Sequence, residues 1–293
     1  MKTSLGDKAF DWINALFLCT MAVICVVPLL HVLSASFSDP GSITRSQGVM
    51  FWPRDFTVKG YELVFSNKSI ISGYGNTIFY VTAGTLVNLL MTSLGAYVLS
   101  RKDFLWRDSI TILVTVTMFF SGGLIPSYLL VKGVGLLGTR WALIIPSAIS
   151  VWNLIVLRTS FASIPASLEE SARIDGANDF TILFRIVLPL SKPVLAVMFL
   201  FYAVGHWNEW FSAMIYLNDR GMFPLQLILK EILVENQIAN MTTYQSINVN
   251  DTDYYRPLIK YTTIVVATVP ILCMYPFIQK YFVQGVMIGS LKE

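Results

Sequence analysis

"EESARIDGAN" (residues 169–178) sets four charged side chains, Glu169, Glu170, Arg173 and Asp175, within seven residues, and long uncharged runs lie on either side of it. It continues into "DFTILFRIVLP" (179–189), and the whole reads as two short helices hinged at a glycine. Ser167 and Glu170 have the spacing of a capping box, with Ser167 as N-cap and Glu170 at the third helical position. That predicts a helix from Leu168 to Asp175. Gly176 ends it, because glycine enters a left-handed turn without steric cost. Asn178 or Asp179 caps a second helix over Phe180 to Leu188, whose Ile182, Leu183, Ile186 and Val187 form an apolar face at helical spacing. Pro189 stops that helix, and Pro193 opens the next element, where its missing N–H costs little.

The flanking runs decide what kind of protein carries this device. Charged residues make up 13% of the chain and hydrophobic residues 55%. Soluble domains carry about 25% charged residues. The uncharged residues fall in blocks that approach or exceed the roughly 20 apolar residues a helix needs to cross a bilayer. The expected spans are 12–36, 73–100, 109–131, 140–157, 193–217 and 259–280. Backbone groups in hydrocarbon must be satisfied within their own segment, so each span is expected to be helical. The expected fold class is all-α integral membrane, with six transmembrane helices in a single domain over 1–293. A net charge of +3 is too small to argue for a nucleic-acid partner.

The first block, flanked by Lys2 and Lys8 and by Ser34-Ala35-Ser36, has some marks of a signal peptide. It is far longer than the apolar region of one, about 15 residues at most, so it is expected to stay as an anchor. The turn "RKDFLWR" (101–107) carries three positive charges and belongs inside by the positive-inside rule. That puts the loop 158–192, the tail 281–293 and both termini in the cytoplasm, and the loops 37–69 and 219–260 outside. Cys19, Cys25 and Cys273 lie in apolar blocks without metal-ligand spacing, and are expected to fill space as small apolar residues. His31 and His206 also fall in spans, where a packed or hydrogen-bonded role is expected. The chain has no G-x-x-x-x-G-K-[ST] phosphate loop and no catalytic or metal cluster. It is therefore expected to bind no cofactor and to catalyse no reaction.

The hinged device has a wider pattern: Glu170-Ser171-Ala172, three residues, Gly176, nine residues, Ile186, one residue, Leu188-Pro189. This resembles the EAA loop of ATP-binding-cassette (ABC) importer permeases at every fixed offset, with Ser171 in place of the middle alanine. Asp175-Gly176-Ala177 fits the carbohydrate branch of that family. "IPSYLLVKGVGLLGTRWALIIP" (125–146) is similar to the segment between the third and fourth spans of maltose-transporter-like permeases. "WNEWFSAMIYL" (207–217) resembles their fifth span, and "QKYFVQGVMIGSLKE" (279–293) their C-terminal tail. Tail and length look closest to the polysaccharide and oligosaccharide permeases of the lipo-oligogalacturonide or alginate type.

The resemblance implies a type I ABC importer transmembrane domain, multi-pass, in a bacterial cytoplasmic membrane. It implies that Glu170, Ser171, Ala172, Asp175, Gly176, Ala177, Ile186, Leu188 and Pro189 form the coupling helix and its brace. In the family this helix seats in a cleft of a separate ATPase, and the small Ala172 and Gly176 suit a close partner surface. The implied partners are two ATPase subunits that bind ATP and Mg, and a second permease that family habit makes a paralogue. The resemblance also implies an extracytoplasmic solute-binding protein that delivers the carbohydrate.

Polar residues inside spans are costly and mark pathways. On that ground Trp207, Asn208, Glu209 and Trp210 are pathway candidates, with Trp207 and Trp210 three apart on one helix face. Asn153, Tyr74 and Asn76 are further candidates. Interface anchoring and helix–helix hydrogen bonding are the competing structural readings. Glu209 disfavours an anionic polymer, whereas Lys132 and Arg140 favour one, so the charge of the saccharide stays open. A secondary transporter driven by an ion gradient is the alternative class, and it would show repeats with broken helices at matching positions.

Overall fold

The computed structural model of the chain describes residues 5–46, 48–234 and 249–290. Parts of the expected outer loop 219–260 and tail 281–293, namely 235–248 and 291–293, lie outside the described residues. Among the described residues the structure is helical, with one isolated bridge between Ser38 and Phe56. The chain divides into two compact units, Met1–Ile71 with Leu229–Val269, and Ser72–Ile228 with Pro270–Glu293.

The first unit opens with α1 (Leu5–Ser36), whose mean hydropathy of 2.6 over its membrane-length window goes with side chains exposed on all sides of the single chain. Such a helix is built to be covered by lipid or by another subunit. Cys19 and Cys25 lie exposed on it, and Cys273 is exposed on α14 (Val249–Ser290), so the three lie on uncovered surfaces of the apolar helices. Long apolar helices in a membrane have no solvent-averse side, so their small residues need not turn inward. The helix α2 (Pro40–Arg45) starts from Asp39, whose carboxylate accepts from Gly41 N at 2.8 Å and from Tyr254 OH at 3.0 Å. The helix α3 (Lys59–Ser66) follows, and Ala35, Ile43 and Leu258 form the buried centre of the unit. His31 is packed as expected, accepting from Met50 N at 3.0 Å with its ring edge-on to Tyr261.

The second unit is organised by α4 (Lys68–Ser100). Its 33 residues extend about 50 Å at the helical rise of about 1.5 Å per residue, longer than a hydrocarbon core. Asn76, Tyr80, Gly84, Asn88, Thr92 and Ala96 recur every fourth residue, and all are buried. Four-residue spacing stacks them on one slowly turning face. Each polar member has a partner: Asn76 donates to Gly221 O (2.8 Å), Tyr80 to Met222 O (2.8 Å) and Asn88 to Ser147 O (2.6 Å), while Thr92 meets Tyr202 OH at 2.7 Å.

Around this spine lie α5 (Arg107–Val116), α6 (Leu124–Gly133), a 3-10 turn (Arg140–Leu143) and α7 (Val151–Ala162). Next come α8 (Ala166–Ile174), α9 (Asp179–Ile182), a π-helical turn (Leu183–Val187) and α10 (Leu188–Leu190). Then follow α11 (Lys192–Trp207), α12 (Phe211–Tyr216), a 3-10 turn (Arg220–Met222) and α13 (Leu225–Val234). One buried cluster gathers Tyr80, Val131, Leu143, Ile144, Tyr216 and Leu227. A second gathers Ala96, Tyr97, Leu157, Phe161, Ile182 and Val187 beneath the 166–190 segment.

Three described helical stretches are long and apolar enough to cross a membrane: Gly6–Ser36, Lys68–Ser100 and Tyr254–Cys273. Two bent pairs are apolar enough together: α7 with α8, at 73°, and Asp179–Leu190 with α11, at 87°. The expected span 109–131 is occupied by α5 and α6 on either side of residues 117–123, and 193–217 by α11 and α12.

Candidate functional site

The 165–190 segment forms the hinged pair of helices, with a different start. The helix α8 begins at Ala166 from Pro165, and no side chain caps it. The capping box of Ser167 and Glu170 is therefore not formed: Pro165 fixes an extended backbone ahead of Ala166, so the helix starts before Ser167 can serve as N-cap. The exit is as expected. Gly176 has φ +84°, and Gly176 N and Ala177 N donate to Arg173 O (3.0 Å) and Ala172 O (2.9 Å). These are the two closing bonds of a glycine-terminated helix. Asn178 caps the second helix, accepting from Thr181 N at 2.8 Å.

Pro189 does not stop that helix, which runs on through a wide π turn to Leu190. Proline lacks the N–H that would bind the carbonyl four residues earlier. The turn before it widens accordingly, and Leu188 N reaches Leu183 O. The sharp bend falls at Ser191, and α11 begins at Lys192 with Pro193 in its first turn.

Two large apolar side chains of this device are left uncovered. Ile174 is 87% exposed and Phe180 67%, beside exposed Glu170, Ser171 and Asp175. Ala172, Ala177 and Leu188 are partly buried against the cluster beneath, and Ile186 is half-buried. No heavy atom lies within 4 Å of where a Cβ on Gly176 would stand.

The device is tied to the end of α4. Arg101 forms an ion pair with Glu169 of α8, and the two side chains are only 14% and 11% exposed. The Arg101 guanidinium lies 4.2 Å from the centre of the Tyr97 ring, and its Nε donates to Tyr97 O at 3.4 Å. Burial pushes Arg101 below the ordinary arginine range. Its Nη2 is buried with no hydrogen-bond partner among the described residues. Tyr97 OH donates to Asp179 at 3.3 Å, Arg173 bonds Asp179 at 3.1 Å, and Arg158 Nε donates to Leu99 O at 2.9 Å. A cavity of about 410 Å³ beside this joint is walled by Leu94, Val98, Phe104, Phe180 and Leu183. Glu169 was not singled out from the sequence, because its partner lies 68 residues away (169 − 101) and nothing local marks it.

The span candidates separate into two groups. Trp207 is 7% exposed, edge-on to Tyr74 at 6.3 Å, and its Nε1 is buried without a partner among the described residues. Asn76 donates both amide hydrogens, to Gly221 O and Phe223 O, and accepts from Arg140 at 2.9 Å. Asn153 is 5% exposed. Asn208, Glu209 and Trp210 instead occupy a break. The helix α11 ends at Trp207, Asn208 caps it, and Trp210 opens α12 with its ring edge-on to Phe211. Trp207 and Trp210 therefore share no helix face. Glu209 accepts from Ser212 N at 3.1 Å, which satisfies a free N–H of α12 and favours the break. Asn208 is exposed, Trp210 is 39% exposed and Glu209 half-buried. His206 sits in contact with Asn88 at 2.7 Å, as a packed histidine should.

The family model described as "binding-protein-dependent transport system inner membrane component" matches residues 91–288. The chain is 43% identical to the polygalacturonan/rhamnogalacturonan transport system permease protein YtcP of Bacillus subtilis (strain 168), covering 98% of this chain and 100% of that one. It is 40% identical to protein LplC of the same organism, covering 100% and 98%. Among solved structures it is similar, with a TM-score of 0.87 and 32% identity over 96% of this chain and 99% of the other, to a chain from a bacterial ABC transporter involved in the import of the acidic polysaccharide alginate.

Proposed function

The chain belongs to the family of binding-protein-dependent transport system inner membrane components, and from that premise we propose that it carries an acidic, uronic-acid-bearing poly- or oligosaccharide into the cell. As a member of that family it is an integral membrane permease subunit of an ABC importer. The observation that carries the substrate reading is near-full-length similarity to a polygalacturonan/rhamnogalacturonan permease and to a chain of an alginate importer. Charge supports it. Arg45 and Arg54 border one cavity of about 330 Å³, and neither pairs with a described acid. The neighbouring Asp39 is engaged by Gly41 N and Tyr254 OH, and Asp55 by Ser42 OH. Planar guanidinium groups suit carboxylates, which they bind through two parallel hydrogen bonds.

In this reading α8 and the Gly176 turn dock into a separate ATPase that binds ATP and Mg. A second permease and an external binding protein complete the importer. Exposed Ile174 and Phe180 supply apolar contact, and Glu170 and Asp175 supply charge at its edge. The basic turn 101–107 lies on the ATPase side, which is cytoplasmic, together with both termini. Substrate passes by the exposed break at Asn208, Glu209 and Trp210, while Trp207, Tyr74, Asn76 and Asn153 hold the surrounding helices. Family membership leaves the ion-gradient alternative without support.

The test uses the complete importer in proteoliposomes, with its binding protein offered a panel of glycans. Oligogalacturonides or alginate oligomers should stimulate ATP hydrolysis and enter the lumen, whereas methyl-esterified or neutral oligomers should not. Stimulation by neutral oligosaccharides alone would overturn the acidic reading.

A further inference from the structure

We propose that the Arg101–Glu169 ion pair is the joint through which motion of the docking helix α8 is delivered to the long helix α4, so that the two move as one lever. This rests on the reading of α8 as the ATPase-docking element. The alternative is that α8 is merely a loop helix whose movement reaches the spans along the chain, through α7 and α9.

The geometry favours the joint. The helix α8 is short, flanked by Pro165 at one end and the left-handed Gly176 at the other. Both ends are turns, so the chain itself transmits little torque. Its side chains supply the stiff connection, and among the described contacts the most enclosed is Glu169 to Arg101. Arg101 is not a mobile surface arginine. Its guanidinium is stacked on Tyr97, its Nε is bonded to the last turn of α4, and the side chain is mostly buried. A push on Glu169 therefore arrives at Tyr97–Arg101.

The same turn collects the neighbouring elements. Leu99 O receives Arg158 of α7, and Tyr97 OH reaches Asp179 at the start of α9. Above it, α4 continues into its stripe of Asn76, Tyr80, Gly84, Asn88, Thr92 and Ala96, which grips α11 and the segments near Ser147 and Met222. The end of α4 is thus the point where α7, α8 and α9 all attach to it.

The pair is poorly arranged for stability alone. Buried ion pairs contribute little net stability unless every donor is satisfied, and Arg101 Nη2 has no partner among the described residues. What such a pair does supply is register, because only one placement of α8 brings Glu169 to Arg101. Arg101 and Glu169 are positioning residues in this scheme, and neither touches substrate or nucleotide.

The test is charge reversal and its rescue in the assembled importer, reading sugar imported per ATP hydrolysed. Arg101→Glu and Glu169→Arg singly should lower that ratio at least about fivefold, the low end of measured couplings between sites, while the ATPase still co-purifies. The double variant Arg101→Glu/Glu169→Arg should recover most of it. A purely structural role would change expression and thermal stability without changing the ratio. Unchanged ratios in both single variants overturn the joint. So does failure of the swap to restore coupling when the complex is assembled. Where a single variant does not assemble, Arg101→Cys/Glu169→Cys without the native cysteines provides a second measurement. The side chains replaced are too long for a disulfide to span, so a short bis-maleimide is used. The double-cysteine protein should couple poorly until it is cross-linked, and failure of the cross-link to raise the ratio refutes the lever. Loss of ATPase co-purification from the wild type would instead count against the docking reading itself.

Discussion

His206 of α11 and Asn88 of α4 meet at 2.7 Å inside the helical unit, at the point where Gly84 lets the imidazole lie against the α4 backbone. With Asn88 Nδ2 donating to Ser147 O, its amide oxygen accepts from His206 Nε2–H. One asparagine thus ties α11 to the non-helical stretch ahead of α7.

Removing either side of this contact leaves a buried polar group unmet. His206→Ala and Asn88→Ala should each cost about 1–3 kcal/mol. Gly84→Ala should be at least as damaging, because its Cβ would lie 2.4 Å from His206 Nε2. Thermal unfolding of the purified protein in detergent checks all three. A midpoint for Gly84→Ala equal to that of the wild type would show that the helices do not approach so closely.

Gly176 separates backbone strain from docking. Its φ of +84° makes Gly176→Ala cost about 1–2 kcal/mol locally, and asparagine, which tolerates that region, should cost less. No atom of this chain obstructs a side chain there. Gly176→Trp should therefore fold but lose uptake and substrate-stimulated ATP hydrolysis, because the bulk falls on the docking face. Normal activity in that variant would sink the proposed docking mode.

The two tryptophans should respond differently. Trp207 is buried, so Trp207→Ala should cost about 3–5 kcal/mol of stability. Trp210→Ala should leave stability nearly unchanged and raise the half-saturation for saccharide by about fivefold, the size of one lost aromatic contact. Uptake by Trp210→Ala indistinguishable from wild type, at equal expression, removes the break from the pathway.

Arg45 and Arg54 give an electrostatic test of the substrate. Arg45→Gln/Arg54→Gln should weaken uptake of oligogalacturonides and flatten its dependence on ionic strength, since exposed charges act through a screened field. Uptake of any neutral glycan should not change. Equal salt dependence in both proteins argues against these two residues.

Local signals in the sequence determined the membrane class, the pair of helices hinged at Gly176 and the family, but not where that pair begins and ends. Composition, a glycine suited to a left-handed turn, and fixed offsets act over a few residues, so they survive without a fold. Asn178 as a cap and Gly176 as the exit were legible for that reason. What the tertiary structure decided depends on partners far apart in the chain. It decided that Glu169 meets Arg101, that Asn76 is consumed by Gly221, Phe223 and Arg140, and that the helix breaks between Trp207 and Trp210. It also uncovered the four-residue stripe on α4, which is hidden in the sequence because polar residues in a span mark buried contacts only once a neighbouring helix is in place. Within lipid, apolar character cannot tell an inner face from an outer one, and only the packed helices make that distinction.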